Sequence, residues 1–183
     1  MPSMFSAPAT APALSGVALY QVCVPPLVRG LRALATELRR GVASAASRQF
    51  DPSILVNSRL APDMLTLAGQ VQRASDTSKL SAERLCGVPS PKFPDTESTM
   101  DELHDRITGT IAYLQSLKPE DFQGSENKTI TINKLGDARG DAYLLEFGLP
   151  NFYFHIAMAH AILRHNGVPV GKLDYLGDAA EAK

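Results

Sequence analysis

The chain has 183 residues, of which 44% are apolar and 20% charged, and 18 Lys and Arg stand against 19 Asp and Glu for a formal net charge of -1. A chain of this length folds as one domain that buries roughly 70% of its unfolded surface, so no metal or disulfide is needed merely to hold it together. Balanced charge leaves no broad positive field to release counterions from a phosphate backbone, which excludes nucleic acid as the main partner, and no stretch approaches the about 20 apolar residues of a membrane span.

Residues 1–13, rich in Ala, Pro, Ser and Thr, read as a flexible arm, and residues 14–183 as one helical domain. The apolar run after the arm lacks a basic leader, and Pro25-Pro26 interrupts it, so it does not read as a signal peptide. Leu27, Leu31, Leu34, Leu38 and Val42 step by four, three, four and four, which predicts a helix with one apolar stripe. Tyr20 and Val24 extend that stripe back toward Leu14, with a kink expected at the two prolines. Arg29, Arg32, Arg39 and Arg40 lie off the stripe and read as a solvated face. Cys23 and Cys86, in different elements, read as reduced thiols of a cytoplasmic protein.

Pro62 suits a first helical turn, and a second helix is expected over about 63–85, with Met64, Leu67, Val71, Ala74, Ser78 and Leu85 inward. Gly87 and Pro89 stop it. Thr99 followed by Glu102 is a capping box for a third helix carrying Leu103, Ile107, Ile111 and Leu114. The alternation in "NKTITINKL" predicts a strand whose partner is expected in "DAYLLEF", with "LGDARGDA" as the turn. A fourth helix starts near Pro150 and ends at Asn166-Gly167. The tail keeps Val168, Val170, Leu173, Tyr175 and Leu176 to lie back on the bundle.

The fourth helix is apolar almost all round and should be the most buried. It also holds three of the four histidines. His155 and His160 are five apart, about 140° on the helical wheel, so they do not share a metal as i,i+3 or i,i+4 pairs do. His165 sits in the last turn, where the helix dipole favours it, and His104 in "MDELHDR" reads as a surface residue. His155 falls at the seam of the apolar faces, and a buried ring nitrogen without a partner costs about 1–3 kcal/mol. Gln72, Asp76 and Lys79, spaced four and three, form a polar edge on the second helix. If that edge turns toward the fourth helix, Asp76 orients His155; if it faces water, it is an ordinary solvated edge.

The segments "LVNSRLAPDMLTLAGQVQRASDTSK" and "LPNFYFHIAMAHAILRHNGVPVGKLDYLG" resemble the domain-of-unknown-function family numbered 1993, placed with the DinB/YfiT-like helical bundles, over about residues 18–177. The resemblance implies a mainly α fold, an antiparallel four-helix bundle with a long crossover and at most a small β-hairpin before the last helix. In the wider superfamily it implies three histidines on the second and fourth helices around a divalent metal. Here the second helix has no histidine and the fourth lacks the H-x-x-x-H pair.

Three functional expectations follow. The first is a small-molecule-binding bundle with its pocket between the first, second and fourth helices, needing no cofactor and no metal. In it His155 acts as general acid or base with Asp76 and Gln72, and Tyr153, Asn57 and Lys79 contact the substrate in an isomerase, lyase or transferase type of reaction. The second is a metal-dependent transferase or hydrolase with a degenerate site. The third is a non-enzymatic interaction module, a homodimer formed through the exposed sides of the first and fourth helices.

Overall fold

The computed structural model describes residues 14–133 and 135–177. The N-terminal arm expected over 1–13 lies outside the described residues. Four long helices make the frame: α1 (Gly16–Ser47), α3 (Leu67–Cys86), α4 (Met100–Ser116) and α6 (Leu149–His165). The short α2 (Ser53–Asn57) follows α1, and the short α7 (Lys172–Leu176) lies in the tail.

Their directions can be read from contacts. Gln70 meets His155 while Thr77 meets Asn151, so α3 and α6 are antiparallel. Asp76 meets Arg106, and Val88, just past the end of α3, meets Tyr113 further along α4, so α3 and α4 are parallel. Gly30 faces Phe152 and Gly41 faces Leu163, which makes α1 and α6 parallel too. Parallel neighbours require a long return, and residues 88–99 supply it: Ser90 bonds Glu83, Asp95 bonds Arg73 and Glu97 bonds Gln72 as the chain runs back along α3.

The stripe of α1 is buried from Val24 through Leu38, with Leu27, Leu31 and Leu34 fully enclosed, but Val42, expected to continue it, is 37% exposed near the end of the helix. The helix starts at Gly16, capped by Ser15, and runs on through Pro25 and Pro26. Because proline has no N–H, the carbonyls of Gln21 and Val22 lose their usual donors four residues on. Helix α3 starts later than expected, since the side chain of Thr66 accepts from Gly69 N–H and forms the true cap. Pro62 therefore lies in the preceding turn region, not in a first helical turn. Gly87 at φ 81° ends α3, and the Thr99–Glu102 box starts α4 as the pattern required.

The hairpin is present, with β1 (Thr129–Ile132) antiparallel to β2 (Gly136–Arg139). Its second strand is "GDAR", the segment expected to be the turn, because the chain reverses within three residues after Ile132. "DAYLLEF" is helical instead: α5 (Gly140–Ala142) passes into a π-helical stretch, Tyr143–Gly148, and on into α6. Nor is α6 buried all round. Phe152, Ile156, Ala159, Ile162 and Leu163 are enclosed, whereas Phe154 on the other side is 51% exposed. Among the described residues no helix is long and apolar enough to cross a membrane.

Candidate functional site

The polar edge of α3 turns away from α6. Asp76 lies 2.8 Å from Arg106, 3.1 Å from Lys79 and 3.8 Å from Arg73. Arg106, with its side chain 1% exposed, also reaches Asp95 at 3.0 Å and Glu97 at 2.8 Å. Gln72 donates to Glu97 at 2.9 Å, and the ammonium of Lys79 lies over the ring of Phe93. These groups clamp the crossover segment onto the α3–α4 seam, so the expected contact between Asp76 and His155 is not formed.

His155 is instead paired with Gln70, whose Oε1 lies 2.8 Å from Nδ1. Burial, and secondarily the charge of Arg73, holds this imidazole below its ordinary pKa. Gln70 can fix the ring's tautomer and orientation, but an amide does not take up a proton as a carboxylate does. Asn57 is exposed and turns its amide back to the carbonyl of Ser53.

Tyr153 is drawn toward α1. Its hydroxyl donates to the carbonyl of Pro26 at 3.2 Å and accepts from Arg29 at 3.2 Å. Arg29 also donates to the carbonyl of Leu176 at 2.6 Å, and Arg40 pairs with Asp174 at 2.7 Å and reaches the carbonyl of Pro169. The arginine face expected to be merely solvated therefore straps the C-terminal segment onto α1. Between the two lies a groove of about 600 Å³, lined by Pro25, Val28, Arg29, Arg32, Arg40 and Leu173 among others. A shallower depression adjoins it on the α4 side, sharing Arg32 and Thr36 and adding Arg39 and His104. Neither is lined by His155.

Beside the Arg40–Asp174 end of the groove is a carboxylate–imidazole pair that the sequence reading missed. Glu37 on α1 is fully buried, and its Oε1 lies 2.6 Å from Nδ1 of His160 on α6. Its other oxygen, Oε2, is buried with no hydrogen-bond partner. Burial raises the carboxyl above the usual glutamate range, against the lowering effect of the bond from His160. The ring of His160 meets that of Tyr175 edge-on. A signal was available: Gly30 and Gly41 flank Glu37 at seven and four residues, marking the line along which α6 approaches α1.

The model of a family described as Domain of unknown function (DUF1993) matches residues 19–176. The chain belongs to this family. A crystal structure of a DinB family member protein from Shewanella denitrificans is 38% identical to this DUF1993 chain, covers 89% of it and 94% of its own length, and superposes with a TM-score of 0.85. No match is found among curated proteins.

The three-histidine metal set of the wider superfamily does not fit this DUF1993 chain. Helix α3 supplies no histidine, His155 and His160 face different partners, and among the described residues no three His, Cys, Asp or Glu side chains are grouped to hold a metal ion. Nor is a thiol nucleophile prepared, since burial pushes the Cys23 thiol far above its ordinary pKa.

Proposed function

We propose that this DUF1993 bundle binds a small organic anion with an apolar body, seated in the groove between α1 and the C-terminal segment. The observation that carries the reading is the groove itself. Its volume of about 600 Å³ falls within the roughly 300–1,000 Å³ of small-molecule sites. Pro25, Val28 and Leu173 offer apolar walls, and among the described residues the guanidinium groups of Arg29, Arg32 and Arg40 line the groove together with the carboxylate of Asp174. A carboxylate or phosphate head suits that balance, because a guanidinium fork matches the oxygens of such an anion.

This placement differs from a pocket centred on His155, Gln72 and Asp76. Support for the latter is weaker, since Asp76 and Gln72 are committed to the crossover clamp. The test is a calorimetric titration with octanoate, acetate and octanol as probes. Octanoate should bind at least tenfold more tightly than either fragment, and the Arg29→Gln/Arg32→Gln protein should lose most of that affinity. Equal binding by the double variant would remove the groove as the site.

A second reading, a homodimer, is favoured by the outer side of the last long helix. Phe154 is 51% exposed there, and aromatic side chains are enriched at interaction surfaces. Sedimentation analysis of wild type and Phe154→Glu tests it: a dimer lost in the variant supports this interface, and a wild-type monomer rejects it.

A further inference from the structure

The shallower depression between α1 and α4 has a lining of one sign. Arg32, Arg39 and His104 line it, and among the described residues no carboxylate does, although Asp101 and Asp105 flank His104 in sequence. The polar partners of Arg39 among the described residues carry no negative charge. One end of its guanidinium donates to the Thr36 hydroxyl at 2.9 Å and the other to Nε2 of His104 at 3.1 Å. A guanidinium only donates, so the imidazole nitrogen is the acceptor there, and three of the five guanidinium N–H groups remain for another acceptor. Thr36 and Arg32 line both the groove and the depression, so the two concavities meet along these residues. Among the described residues the O–H of Thr36, which accepts from Arg39, has no acceptor of its own.

We propose that the depression is a second anion subsite of the groove, and that the ligand is an amphiphile whose polar end carries two linked acid groups, one at Arg29 and Arg32 and the other at Arg39. The proposal rests on the groove reading for the apolar body and the first acid group. Seven residues of helix separate Arg32 from Arg39, a rise of about 10 Å. Two carboxylate or phosphoryl groups on neighbouring atoms cover that span when each meets its own guanidinium through a charge-assisted bond of about 2.8 Å. Thr36, between the two arginines, donates its free O–H to either group. A ligand with one acid group would satisfy the groove and leave Arg39 with neutral partners alone. Were the depression merely solvated surface, a second acid group would add little, since exposed ion pairs contribute little.

Calorimetry on the full chain at pH 7.5 tests this with decanoate and 2-octylsuccinate, which is decanoate carrying a second carboxylate beside the first. In wild type 2-octylsuccinate should bind at least tenfold more tightly than decanoate. That ratio should fall to near one in Arg39→Gln. It should persist in Arg164→Gln, which removes the same charge from an exposed position on α6 outside both concavities. Equal binding of the two probes by wild type, a ratio that survives in Arg39→Gln, or one lost equally in Arg164→Gln would each overturn the subsite while the groove reading stands. If neither probe binds, the groove reading fails and the subsite with it. Amide NMR of wild type needs no variant: 2-octylsuccinate should shift His104 and Thr108, which decanoate leaves in place. Identical shifts from the two probes would overturn the proposal.

Discussion

The guanidinium of Arg106 on α4 and the carboxylate of Asp76 on α3 lie 2.8 Å apart, and the same guanidinium binds Asp95 and Glu97 of the crossover. One buried cation thus holds a return segment that has few apolar anchors of its own beyond Phe93, over whose ring it also sits. Arg106→Ala would remove the cation that Asp76, Asp95 and Glu97 share, leaving Arg73 and Lys79 as their remaining cationic partners. A loss of about 3–5 kcal/mol is expected, the cost of removing one partner from a buried ion pair. Urea denaturation measures it, and a loss below about 1 kcal/mol would place the cluster with ordinary surface pairs.

Close approach of α6 to α1 depends on Gly30. A Cβ there would lie 2.6 Å from Cε1 of the fully buried Phe152. Gly30→Ala should therefore cost about 1–3 kcal/mol through overpacking, despite the better helix propensity of alanine. Gly171→Ala, which meets nothing within 4 Å, is the control and should move the thermal midpoint little. Equal effects of the two substitutions would contradict the packing.

Glu37 gives stability a definite pH sign. Burial raises its folded pKa above the unfolded value, so the protonated form is favoured in the fold. That contribution is complete below the unfolded pKa of about 4.3 and is lost as pH rises through the folded value. Relative to Glu37→Gln, wild type should lose denaturant resistance as pH is raised from 4 toward neutrality. A constant difference between the two proteins would refute the shift.

His155 pulls the other way. Its folded pKa is lowered, chiefly by burial, so the neutral ring is favoured. The associated stability is present above the unfolded pKa of about 6.5 and disappears as pH falls through the folded value. His155→Gln should flatten the acid side of the stability profile. An unchanged acid slope would show that the ring is as easily charged in the fold as outside it.

Local patterning made much of this fold legible. The Leu27 to Leu38 stripe, the Thr99–Glu102 box and the Asn166-Gly167 stop each act within a few residues, and each stands where the pattern put it. The strand partner was misplaced because Gly136, Asp137 and Arg139 have low strand propensity and pair only through the reversal next to them. For the site, the edge Gln72–Asp76–Lys79 was visible, but its direction depended on the crossover of residues 88–99, whose path no periodicity encodes. Glu37 was hidden for a different reason. With Arg40 three residues on, it has the spacing of a surface pair, and only the facing Phe152 and Leu163 show that this line is covered by α6.

The groove claim is tested most directly by backbone amide NMR with octanoate as the probe. The account predicts saturable shifts confined to residues 25–40 and 171–177, suppressed in Arg29→Gln/Arg32→Gln. Shifts centred instead on Gln70 and His155, or none at all at millimolar octanoate, would contradict it.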